Sequence, residues 1–162
     1  MKTLAILFFT LLLSGCGFQL RGAAKLPFDS LYVEAPPASQ FAVQFKRVIT
    51  AGGGTRLTDE RKDAEATLIL VNELREKNIL SLSGTGRARE FQLRYRMSYR
   101  VLDKKAVETV PTTEIVLTRD FSFNDDATLS KEAEETLLFR DMQNDAVQQL
   151  VRRLQVVKLN RT

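Results

Sequence analysis

The chain has 162 residues, with 24 Lys and Arg against 20 Asp and Glu, a single cysteine and no histidine. These counts exclude an imidazole-based triad, an imidazole zinc site and an internal disulfide. A net charge of +4 without a polybasic block lacks the footprint of a nucleic-acid binder, and no metal or cofactor motif is present.

The first fifteen residues divide into a positive start at Lys2, an apolar run from Leu4 to Leu13 broken only by Thr10, and the small pair Ser14-Gly15. This is the layout of a secretory signal, and the run is too short to span a bilayer. Leu13-Ser14-Gly15-Cys16 resembles the bacterial lipobox, in which the thiol is diacylglycerated, the signal is cut before the Cys and the new amine is acylated. A triacylated Cys16 would hold the protein on a membrane surface without crossing it, because two or more chains anchor stably where one does not. Gly17, in place of Asp, resembles the enterobacterial signal for release to the outer membrane. The expected organisation is a lipoprotein signal peptide over 1–15 and one lipid-anchored domain over 16–162.

Residues 16–27 read as a lead-in, with Gly22 and Pro27 as breakers. Leu31-Tyr32-Val33 predicts a short strand stopped by Pro36-Pro37. Phe41, Phe45, Val48 and Ile49 follow helical spacing, with Ser39 placed to cap and Gly52-Gly53-Gly54 to end the helix. Thr55–Leu57 and Thr67–Leu74 read as strands, which makes an early β-α-β crossover.

Phe91, Leu93, Tyr95, Met97, Tyr99 and Val101 alternate strictly with Gln92, Arg94, Arg96, Ser98 and Arg100. That period of two predicts a strand with one buried face and one arginine-rich face turned to water or a partner. Leu102-Asp103-Lys104-Lys105 turns the chain, and Thr113–Phe123 forms another strand with Ile115, Leu117, Phe121 and Phe123 on one parity, interrupted by Arg119. Phe139, Met142, Ala146, Leu150 and Leu154, widened by Val147 and Val151, predict a long final helix. Ser130 is placed to cap it, Asp125, Asp126, Glu132, Glu134 and Glu135 suit its positive end, and Arg152 and Arg153 its negative end. The predicted fold class is α+β: two amphipathic helices on one face of a mostly antiparallel, roughly four-stranded sheet. Adjacent acids such as Asp125-Asp126 and Glu134-Glu135 read as solvated or helix-end charge rather than as a catalytic pair.

Three stretches resemble the family of LPS-assembly lipoproteins, LptE. They are Cys16-Gly17-Phe18-Gln19-Leu20-Arg21, Glu90-Phe91-Gln92-Leu93 at the start of the central strand, and the run from Arg119-Asp120-Phe121 through Leu129-Ser130-Lys131-Glu132 to Gln149-Leu150-Val151-Arg152-Arg153-Leu154. The resemblance implies a protein without turnover that assists assembly of the outer-membrane barrel LptD, plugs it one to one and binds lipopolysaccharide on its way to the outer leaflet. It implies attachment through the lipid on Cys16 to the periplasmic side of the outer membrane, with no cofactor, metal or nucleic acid. The family's lipopolysaccharide-contacting lysine falls on Lys131, and its contacting arginine falls on Gly84, which leaves Arg87 and Arg89 as candidates to substitute for it. The other readings are an outer-membrane lipoprotein that scaffolds a different envelope complex without touching glycolipid, and a lipid-anchored hydrolase working through carboxylates.

Overall fold

The computed structural model describes residues 25–123 and 128–158. The signal segment, Cys16, Gly17 and the Asp125-Asp126 pair lie outside the described residues. In chain order the elements are β1 (Ser30–Glu34), α1 (Gln40–Gly52), β2 (Arg56–Thr58), a single 3-10 turn at Arg61–Asp63, β3 (Ala66–Leu82), β4 (Ala88–Asp103), β5 (Glu108–Ser122) and α2 (Thr128–Gln155).

The strands form one sheet in the order β2-β1-β3-β4-β5. The sheet has five strands and is mixed, where four strands and mostly antiparallel pairing were predicted. The reason lies in the early crossover. β1 pairs parallel with β2 on one side and parallel with β3 on the other, so one short strand serves two parallel neighbours. β3, β4 and β5 then run antiparallel as a long meander. No helix among the described residues is long and apolar enough to cross a membrane.

The helical spacing of α1 puts Phe41, Ala42, Phe45 and Ile49 on its buried stripe. Burying each large side chain contributes about 1.5–3 kcal/mol relative to exposure. Ser39 caps the helix as predicted, its Oγ accepting the Ala42 N–H at 3.1 Å. Gly53 ends it in the left-handed region at φ 65°, where a Cβ is unfavourable. The stripe of α2 supplies Phe139, Met142, Ala146, Val147, Leu150, Val151 and Leu154 to the same core. α2 begins at Thr128, so Ser130 lies inside its first turn instead of at the cap.

β4 carries the alternation read from the sequence: Leu93, Tyr95, Met97, Tyr99 and Val101 are buried under the helices. β3 is longer than predicted and changes phase on the way. The register slips between Leu70 and Asn72, leaving Val71 as the extra residue of a β-bulge. Before the bulge, Ala66, Leu68 and Leu70 face the core. Beyond it the helix-facing positions are Glu73, Arg75 and Lys77, each of which meets a group of a helix or of its cap.

On the other face, Arg94 and Arg96 are more engaged than a solvated arginine row would be. Arg96 donates through Nε and Nη2 to Glu114 at 3.1 and 2.9 Å, and Arg94 stands in register opposite Glu76. Such cross-strand pairs fix the register of a sheet whose second face is polar.

Candidate functional site at the hairpin tip

The β3–β4 hairpin closes through Ser83-Gly84-Thr85-Gly86. Gly86 N–H donates to the Ser83 carbonyl at 2.9 Å, and Gly86 takes φ 80°, which favours glycine. Ser83 N–H donates to the Arg87 carbonyl at 2.7 Å, and Arg87 N–H donates to Ser83 Oγ at 3.0 Å. Arg87 is therefore set on a well-tied turn, and Arg89 follows it at the start of β4.

β5 ends beside this turn. Phe123 N–H donates to the Arg89 carbonyl at 2.7 Å. Arg87 and Arg89 line one open concavity of about 600 Å³ together with Ser83, Thr85 and Phe123. The predicted pair of arginines is thus brought together, and an aromatic side chain forms part of the same wall.

Phe123 belongs to a cluster with Phe91 and Phe121, whose ring centroids lie 5.7–6.4 Å apart. Edge-on and tilted packing at this distance is favourable and leaves negative ring faces available to cations. Lys131, in the first turns of α2, takes one of them. Its Nζ lies 5.5 Å from the Phe121 centroid and 2.8 Å from Glu134. Lys131 does not line the concavity of the two arginines; it joins them through the Phe121–Phe123 contact. Its side chain is 20% exposed, so it is not a freely solvated lysine.

Sequence reading missed Lys77. Its Nζ sits 4.3 Å from the Phe91 centroid, within 6 Å of the Phe121 and Phe123 centroids, and pairs with Glu135. Beyond the bulge the stretch Arg75-Glu76-Lys77-Asn78 looks like a charged loop, and no apolar alternation marks it as a strand. Among the described residues, no three of His, Cys, Asp or Glu gather into an arrangement that could hold a metal.

These features define a small α+β domain whose long hairpin presents basic and aromatic groups at its tip. The family model for lipopolysaccharide-assembly, LptE, matches residues 28–154, and the chain belongs to that family of non-enzymatic envelope lipoproteins with a role in lipopolysaccharide assembly. The LPS-assembly lipoprotein LptE of Yersinia pestis (strain Pestoides F) is 28% identical over 150 residues, covering 91% of this chain and 72% of that protein. The solution structure of an uncharacterized lipoprotein B from Nitrosomonas europaea is 41% identical and superposes with a TM-score of 0.76, over 86% of this chain and 90% of that one. The rare lipoprotein B of Shewanella oneidensis shares the fold at 20% identity and a TM-score of 0.67, over 76% of this chain and 92% of that one.

Proposed function

We propose that the chain is held to the periplasmic side of the outer membrane by lipid on Cys16, that it assists assembly of the LptD barrel and plugs it one to one, and that it binds lipopolysaccharide during transport to the outer leaflet. The observation that carries the glycolipid part is the tip, where Arg87 and Arg89 share a concavity with Phe123 and Lys131 lies on the adjoining aromatic cluster. Guanidinium groups grip phosphate through paired hydrogen bonds, while ammonium groups act as point charges. The barrel part is supported by the family and by a surface of charged strand rows, which suits the polar interior of an outer-membrane barrel.

The test is a paired measurement on Lys131→Asp combined with Arg87→Asp or Arg89→Asp. Lipopolysaccharide binding should weaken at least tenfold, in the same direction as added salt weakens it in the wild type, while copurification with the barrel persists. Wild-type glycolipid binding by the double variant would favour a scaffold that never touches glycolipid. Loss of the barrel instead would assign the basic groups to the protein interface. Separately, Cys16→Ala should leave the precursor unlipidated, and mass spectrometry of an unmodified Cys16 in membrane-extracted protein would overturn the anchor.

A further inference from the structure

Away from the tip, α1 and α2 face each other across a cleft of about 380 Å³. A gap between two helices on a sheet is normally closed by interdigitating apolar side chains. Here Gln40, Gln44 and Arg47 of α1 face Arg140 and Asn144 of α2, and Arg75 of β3 completes the lining. The spacing i, i+4, i+7 on α1 and i, i+4 on α2 makes two polar stripes beside the buried ones.

Three guanidinium groups line this cleft and no carboxylate does. Arg75 is held in place: its Nη2 donates to Gln143 Oε1 at 2.8 Å, and its head lies 5.8 Å from the Phe139 centroid. Glu73, one helix-facing position earlier on β3, is already taken by Ser39 and Tyr95, which donate to its two oxygens at 2.7 and 2.8 Å. Arg47 and Arg140 have neither an ion-pair nor a hydrogen-bond partner among the described residues. Like charges gathered without a counter-charge repel one another, and an anion in the cleft removes that cost.

We propose that this interhelical cleft is a binding site for a phosphorylated saccharide, separate from the hairpin tip. The arginines match a phosphate, which presents several acceptor oxygens and more charge than one carboxylate. The amides of Gln40, Gln44 and Asn144 both donate and accept, as sugar hydroxyls require. The volume lies at the small end of ligand pockets and Val43 is the only aliphatic side chain in the lining, so the site takes a headgroup and not an acyl chain. The inference stands on the cleft itself and holds whether or not the tip binds lipopolysaccharide.

The experiment uses the purified lipoprotein in detergent micelles, titrated with glucose 1-phosphate and followed by calorimetry and by amide chemical shifts. Saturable binding is expected, with shifts confined to the α1 and α2 stripes and no response to glucose alone. Arg47→Gln with Arg140→Gln should weaken binding at least tenfold without moving the thermal midpoint, since both side chains are exposed, whereas Arg87→Gln with Arg89→Gln should leave it unchanged. Competition by lipopolysaccharide would identify a glycolipid headgroup as the source of the phosphate, and failure to compete would identify a soluble sugar phosphate; either outcome supports the site. No saturable binding, equal binding by the Arg47/Arg140 double variant, or tighter capture of a polyglutamate peptide than of glucose 1-phosphate would overturn it.

Discussion

Lys77 Nζ stands 4.3 Å from the centroid of Phe91 while pairing with Glu135, so one ammonium ties the middle of β3 to the aromatic cluster and to α2. The side chain is 33% exposed, which puts the pair between a solvated surface contact and a buried one.

Lys77→Met keeps the stem and removes the charge. The expected loss is about 1–2 kcal/mol, mostly from the cation–π contacts, read as a lower urea midpoint with an unchanged slope. Lys77→Arg, which can still stack, should recover part of it.

Tyr95 is fully buried and its hydroxyl donates to Glu73 at 2.8 Å. Burial first, then the hydrogen bond to Glu73 and the Glu73 charge, push its pKa well above the ordinary tyrosine range, with Arg75 pulling the other way. Because the folded-state value is raised, the stability linked to this phenol is complete below the unfolded pKa of about 10 and is lost as pH rises beyond it. Unfolding free energy should therefore fall above roughly pH 10, by up to about 1.4 kcal/mol per pH unit from this group. Tyr95→Phe should flatten that alkaline limb, after a cost of about 1–3 kcal/mol at neutral pH for the donor withdrawn from Glu73. Denaturant titrations across the alkaline range would measure both.

Met97 and Arg100 test the two faces of β4. Met97 is fully buried and Arg100 is exposed. Met97→Asp should cost more than about 3 kcal/mol, the scale of an unpaired buried charge, and Arg100→Asp should stay within about 0.5 kcal/mol. Equal loss of thermal stability would mean that β4 does not have one buried and one exposed face.

Gly84 is where the family resemblance places an arginine. A Cβ there meets nothing within 4 Å, and the backbone is not in the left-handed region. Gly84→Arg should therefore fold normally and strengthen lipopolysaccharide binding several-fold, about 1 kcal/mol for one added charge-assisted contact that stays partly in water. Unaltered affinity would place the glycolipid elsewhere than at the tip.

The strands and helices most legible in sequence were those whose apolar spacing keeps a single phase. The uninterrupted alternation from Phe91 to Val101 and the stripe from Phe139 to Leu154 were read from spacing alone. Ser39 and Gly53 marked the ends of α1 because capping is a local property of one residue and its neighbours. β3 was read only to Leu74, because the bulge at Val71 breaks the alternation and the following Arg75-Glu76-Lys77 mimics a loop. The place of β2 at the edge of the sheet, parallel to β1, depends on which neighbour a three-residue strand chooses, and that is a tertiary decision. At the tip, Arg87 and Arg89 were candidates only because the family resemblance put an arginine close by, at Gly84. Lys77 was not, because its role depends on rings contributed by two other strands.

Val71 also separates two ways in which this chain can vary. Deleting that one codon would remove the extra residue and leave a regular strand, with Leu70 and Glu73 two positions apart and both still facing the helices. Losing Glu76 instead would make Arg75 and Lys77 adjacent in sequence, so that they could no longer both face the helices. A single amino-acid loss in that stretch should therefore be far more harmful than the loss of Val71 or the insertion of one or two residues at Gly84, where the turn already faces open space. Length variation among homologous hairpins should accumulate at the tip and at the bulge and spare the strand between them.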